Sequence, residues 1–124
     1  MSAPLNRKIL VADDNAASRE LIREVLEISG YDVVEAADGQ TAVNRTRESS
    51  PDLVLVDIQM PRLDGYGVLR ELRADPRLSG LRVVALTAFA MQGDRERAID
   101  AGFDGYITKP VEIAALRLEI KKLL

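Results

Sequence analysis

The chain has 124 residues, 47% apolar and 30% charged, with a formal net charge of −3. One domain of ordinary globular composition is expected, large enough to bury a core without staples, and the mild negative charge gives no footprint for nucleic acid. Cysteine and histidine are both absent, which excludes disulfides, thiolate chemistry, Cys or His zinc sites and the Ser-His triad, and leaves only a hard, oxygen-bound cation as a candidate metal.

Met1 to Asn6 lacks the long apolar stretch of a signal peptide, and no segment is apolar for long enough to span a bilayer, so the expected address is cytoplasmic, with no membrane partner. Lys8 to Ala12 (KILVA) is a short apolar run ending in two carboxylates, Asp13 and Asp14. Asn15 or Ser18 then offers an N-cap to a helix whose broad apolar face carries Leu21, Ile22, Val25, Leu26 and Ile28, and Gly30 stops it. Val33 to Ala36 reads as a second strand. Asp38 caps a second helix running to about Ser49, which Pro51 closes.

Leu53 to Val56 is an unbroken apolar run ending at Asp57. A run without alternation fits a strand buried on both faces, the habit of a parallel sheet covered by helices. Such a strand delivers its last residue to the rim of the sheet, where open α/β folds place their ligands. Pro61 to Gly65 is loop by composition, with Asp64 and Gly65 as turn residues. Gly65 to Ala74 reads as a helix with Val68, Leu69 and Leu72 inward. A turn-rich connector, Asp75 to Gly80, leads to a fourth strand, Leu81 to Leu86, ending at Thr87. A fourth helix lies within Met91 to Ala101, weakened in its first turn by Gly93 and stopped by Gly102. Gly105 to Thr108 is a short fifth strand, followed by Lys109 and Pro110. Ile113 to Leu124 is the last helix, with Ile113, Leu116, Ile120 and Leu124 at helical spacing.

The pattern is βα five times with short connections, and it predicts a single α/β domain over 1–124. Its sheet is parallel, with right-handed crossovers and helices on both faces. The flavodoxin-like order 2-1-3-4-5 fits five strands and is adopted from known folds rather than derived from the residues. In that order strands one and three are neighbours, so Asp13, Asp14 and Asp57 converge. Two carboxylates about 4 Å apart repel by roughly 4 kcal/mol at an effective dielectric near 20. Three need a cation or raised pKa values. Lys109 supplies one positive charge, and Mg²⁺ suits a few carboxylates plus water. An aspartate beside Mg²⁺, a lysine and a hydroxyl points to phosphoryl transfer onto the aspartate.

The acidic pair in VADDN, the strand LVDIQMP followed by DG, LTA around Thr87, and YITKP near the end together resemble the receiver domain of two-component response regulators. The resemblance covers essentially the whole chain, and the order and spacing of the four motifs are more specific than any one of them. It implies that Asp57 is the phosphoacceptor. Asp14 would be a direct Mg²⁺ ligand (Mn²⁺ can substitute), Asp13 would act mainly through water, and the backbone carbonyl of Gln59 would complete the protein ligands. Lys109 would pair with the phosphoryl group and Thr87 would move toward it. Tyr106 would turn its ring inward and so change the surface of helix four, strand five and helix five. The Lys109–Pro110 peptide would be cis. Read without the resemblance, Thr87 could equally cap helix four, Tyr106 could be a half-buried aromatic, and Arg95 and Arg97 are solvated helix charges. Gln59 and Phe89 are expected to border the path of hydrolytic water, with Phe89 shielding the phosphoryl group or packing on the output surface.

The expected function is a phosphorylation-controlled switch, not an enzyme beyond its own phosphorylation and dephosphorylation. The donor imidazole must come from a partner histidine kinase or histidine phosphotransfer protein, since this chain has no histidine. Output would be binding to a downstream protein or onward phosphotransfer, because no effector segment follows Leu124. A receiver belonging to a hybrid kinase or longer regulator is the alternative. The string TAFAMQGDRER resembles single-domain regulators of bacterial cell division and polarity. Two rivals come from other classes. A phosphatase with an aspartate nucleophile needs a second acid where Gln59 stands. A flavodoxin needs a Ser-, Thr- and Gly-rich loop where Asp13-Asp14-Asn15 stands.

Overall fold

The structure is a computed structural model that describes residues 7–88 and 91–124. Five parallel strands lie in the order β2-β1-β3-β4-β5. They are β1 (Lys8–Ala12), β2 (Asp32–Ala36), β3 (Leu53–Asp57), β4 (Arg82–Thr87) and β5 (Gly105–Thr108). The helices are α1 (Ala16–Ile28), α2 (Gly39–Ser49), α3 (Gly65–Arg73), α4 (Asp94–Ala101) and α5 (Ile113–Leu123), with a single 3-10 turn at Pro76–Leu78. The expected order holds, the strand and helix bounds shift by one residue at most, and α4 lies within the expected Met91 to Ala101, starting after Gly93.

Local chemistry sets the ends. Asn15 caps α1 through Ser18 N, Asp38 caps α2 through Thr41 N, and Asp64 caps α3 through Gly67 N; each side-chain oxygen satisfies an amide the first turn leaves free. Asp64 is therefore a cap as well as a turn residue. Gly93 precedes α4 at φ 88° and makes no side-chain cap, which fits a late helix start. Gly30 follows α1 at φ 96°, in the left-handed position expected of it.

Alternate strand residues feed two cores. Leu10, Ala12, Val54, Val56, Val83 and Ala85 pack with α2, α3 and α4 on one face. Ile9, Val11, Leu53, Leu55, Val84 and Leu86 pack with Ile22, Val25 and Leu26 of α1 and Leu116 and Ile120 of α5 on the other. Full burial of each Val, Leu or Ile among them contributes about 1.5–3 kcal/mol. The apolar stripes are narrower than expected. Leu21 and Ile28 are 45% and 79% exposed. At 100° per residue both fall past the same edge of the Ile22–Val25–Leu26 stripe. Ile113 is 47% exposed because it opens α5 out at the rim, where no strand lies beneath it.

Register brings the polar strand ends level. Ala12 pairs with Val56, so the next residues, Asp13 and Asp57, meet side by side at the rim. Asp57 is opposite Leu86, and Thr87 is opposite Thr108, which puts Lys109 just past the same edge. No helix among the described residues is long and apolar enough to cross a membrane.

Candidate acidic site at the rim of the sheet

Asp13, Asp14 and Asp57 each offer a carboxylate oxygen to one cluster, all within 4.8 Å of one another. Asp13 and Asp57 are buried and Asp14 is exposed. The split between Asp13 and Asp14 is set by the backbone. Asp13 still belongs to the sheet, its amide donating to Ala36 O at 3.0 Å, whereas Asp14 has turned out into the loop. Asp13 Oδ1 accepts from the Asn15 amide at 2.9 Å, and the Asp13 carbonyl accepts from Arg19 Nη1 at 2.7 Å.

Lys109 closes the cluster. Its Nζ donates to Asp57 Oδ2 at 2.5 Å and lies 2.6 Å from Asp13 Oδ2. The contact with Asp13 is an ion pair, and Asp13 Oδ2 has no other polar partner among the described residues. One ammonium thus serves two buried acids. The Gln59 amide donates to Asp57 Oδ1 at 2.8 Å. The Lys109 amide donates to Thr87 O at 2.7 Å, tying the end of β5 to the end of β4.

Burial pushes the Asp57 carboxyl above the ordinary carboxylate value. The Lys109 ammonium and the Gln59 amide pull it back without cancelling the rise, and the charge on Asp13 adds to it. Burial also works against the charge on Lys109, but its bonds to Asp13 and Asp57 outweigh that and hold its pKa above the usual value. A group of this kind, with one cation short of neutrality, calls for another. The donor set is carboxylate oxygen alone, with one buried oxygen lacking a hydrogen bond, and it fits a hard divalent cation such as Mg²⁺.

The remaining expected site residues are placed as follows. Thr87 is buried at the end of β4. It does not cap α4, whose N-cap is Gly93, so that reading is excluded. Gln59 is exposed at the mouth of the loop. The Lys109–Pro110 peptide is cis. Tyr106 is buried rather than half-exposed, and its hydroxyl has no hydrogen-bond partner among the described residues. It also lines a groove between α4 and α5 together with Arg95, Pro110 and Leu118. Phe89 lies outside the described residues. Sequence reasoning missed Arg19, which bonds Asp13 O and pairs with Glu35 at 3.0 Å; a lone arginine on a polar helix face carries no signal of this.

The family model of the response regulator receiver domain matches residues 9–121. The polar-differentiation response regulator DivK of Brucella ovis is 37% identical over 120 residues, covering 97% of this chain and 98% of that protein. Among solved structures, the receiver domain of a sensor histidine kinase from Pseudomonas aeruginosa is 36% identical with a TM-score of 0.87, covering 96% of this chain and 98% of that one. It is described with a magnesium ion coordinated in its active-site cleft. The signal receiver domain of a histidine kinase from Syntrophus aciditrophicus is 33% identical with a TM-score of 0.86, covering 95% of this chain and 89% of that one. With the sheet order and the acidic rim already in place, matches that run nearly from end to end make this chain a member of the response regulator receiver domain family.

Proposed function

We propose that the chain, as one receiver domain over 1–124, is a switch set by phosphorylation of Asp57. A carboxylate oxygen of Asp57 attacks the phosphorus of a phosphohistidine on a partner histidine kinase or histidine phosphotransfer protein. The P–N bond breaks and the imidazole leaves with the electron pair. The observation that carries this reading is the sharing of one ammonium, Lys109 Nζ, between Asp57 and Asp13. It leaves a buried carboxylate short of countercharge at the rim of the sheet, where ligands gather.

Asp14 and Asp57 would hold Mg²⁺ directly, with the Gln59 carbonyl as a further ligand and Asp13 acting through water. When bound, the ion supplies positive charge to the phosphoryl oxygens. Lys109 stays beside Asp57 and pairs with the phosphoryl group once it has arrived. Thr87, one strand away, donates its hydroxyl to a phosphoryl oxygen. Tyr106 follows Thr87 and alters the surface of α4, β5 and α5 on which a downstream protein binds. The leverage of the switch is limited to the difference in phosphoryl stabilisation between the two states. The magnesium-bearing relative and the polar-differentiation regulator support this reading, and it places the chain's action in the cytoplasm.

Incubation with acetyl phosphate and Mg²⁺, followed by intact mass, tests it. A gain of one phosphate that requires the metal and is lost in Asp57→Asn is expected; labelling that survives Asp57→Asn contradicts it.

A further inference from the structure

The β2–α2 turn gives no side chain to the acidic cluster, yet it touches both loops that carry the cluster. On one side Ala36 O accepts from the Asp13 amide at 3.0 Å. On the other, Gly39 lies against Leu63. A Cβ on Gly39 would sit 1.8 Å from Leu63 O and 2.7 Å from both Leu63 C and Leu63 Cβ. Gly39 does not adopt a positive φ, so glycine is required there for space and not for conformation.

Leu63 belongs to the loop that leaves Asp57. That loop closes on itself, the Gly65 amide donating to Ile58 O at 2.9 Å. A Cβ on Gly65 would lie 2.8 Å from Asp57 O. Within the loop the Leu63 amide donates to Pro61 O at 2.8 Å. The bond spans Arg62, whose φ is 72°. This is a γ-turn, a conformation that persists only where its surroundings determine it. Leu63 is gripped from its other side as well, since a Cβ on Gly67 would sit 2.4 Å from Leu63 Cδ1. The Arg62–Asp38 ion pair, 3.8 Å long with Arg62 76% exposed, is too loose and too wet to do the holding.

We infer that Gly39 is a positioning residue for the Asp57 site. Fitting flush against Leu63, it lets the β2–α2 turn set the spacing between the acid-pair loop and the phosphoacceptor loop and keep the γ-turn of the latter in place. The inference rests on the metal-dependent reading above and adds a residue to it that touches neither metal nor phosphoryl group. Partners hydrogen-bonded to metal ligands change metal affinity by about 10–100-fold when lost, and Gly39, one contact further out, is expected at the low end of that range.

The test compares Gly39→Ala with Leu81→Ala, a core truncation at the far end of the sheet, under conditions where both are folded. Amide hydrogen exchange is read without metal, and Mg²⁺ affinity by calorimetry. Gly39→Ala is expected to speed exchange at the Gly65 and Asp13 amides and to weaken Mg²⁺ about tenfold or more. Leu81→Ala should lower the melting temperature while leaving Mg²⁺ affinity within twofold. Should Gly39→Ala not fold, Leu63→Gly, which removes the Cβ facing Gly39 and the Cδ1 packed on Gly67 without a clash, should weaken Mg²⁺ severalfold. Wild-type exchange and affinity in the folded Gly39→Ala, or in Leu63→Gly where that variant replaces it, overturn the inference. So does an equal loss of Mg²⁺ affinity in Leu81→Ala. A wild-type chain that takes up neither Mg²⁺ nor phosphate overturns the reading beneath it, whatever the variants do.

Discussion

The rim of the sheet and the connector after α3 each hold an aspartate of equal side-chain exposure, Asp57 and Asp75 at 8%. Their surroundings differ in two respects, since Asp57 ends a strand covered on both faces and is strongly desolvated, whereas Asp75 sits in a surface connector among arginines. Asp75 has the Arg77 guanidinium at 2.9 and 3.1 Å, the Arg77 amide at 3.0 Å and Arg47 at 3.5 Å. Hydrogen bonds from the Arg77 side chain and amide hold its carboxyl down at about 2. Asp57 has one ammonium shared with Asp13 and one amide, and its carboxyl is pushed up. Asp75 has more donors than it needs and serves the fold by fixing the connector. Asp57 has fewer, and the deficit is what a cation or a phosphoryl group can use. Residue type and side-chain exposure are the same, so depth beneath the surface and the count of positive neighbours together separate a structural acid from a reactive one.

The largest expected effect comes from removing the shared cation. Lys109→Met in metal-free protein leaves two buried carboxylates without a cation and should lower stability by about 3–5 kcal/mol in urea unfolding. Arg77→Met beside Asp75 should lower it far less, since Arg77 is mostly exposed and Arg47 remains. Next comes the metal. Free Mg²⁺ at a hundred times its Kd should raise wild-type stability by about 2.7 kcal/mol. A chelator should reverse the gain, and Asp14→Asn and Asp57→Asn should each lose most of it. Thermal melts with and without metal check this.

The third prediction has opposite signs in the two regions. Asp57→Asn should stabilise the metal-free fold at neutral pH by about 1 kcal/mol, the usual scale of a single substitution, because it removes charge that burial disfavours. Asp75→Asn should destabilise it. The smallest effect is the pH dependence that follows. The folded pKa of Asp75 is depressed, so its contribution is fully present above the ordinary value of 3.8 and is lost as pH falls toward about 2. The stability gap between wild type and Asp75→Asn should therefore close over that window. The folded pKa of Asp57 is raised, so its penalty is absent at low pH and grows as pH climbs from 3.8 through the raised value. The advantage of Asp57→Asn should appear only above 3.8.

Much of this was readable from the chain. Apolar runs of four to six residues ending in Asp13, Asp57, Thr87 and Lys109 fixed both the strands and the rim, because a doubly buried strand leaves a polar residue only one place to go. What was not readable depends on contacts distant in sequence. Asp13 and Asp14 are identical neighbours, and only the Ala36 carbonyl decides which is buried. Leu21 and Ile28 read as core because a broad apolar face does not announce which edge the sheet will cover. Gly39 carried no signal in the sequence, since its constraint is the Leu63 backbone. The late start of α4 was readable, since Gly93 weakens the first turn and the helix begins just after it.

The most direct test is a carboxyl titration of metal-free protein by carbon NMR, resolving Asp57 and Asp75 in the same sample. The account predicts Asp75 near 2 and Asp57 above 3.8, with the Asp57 signal losing that elevation when Mg²⁺ is added. An Asp57 that titrates at or below the ordinary carboxylate value without metal would contradict it.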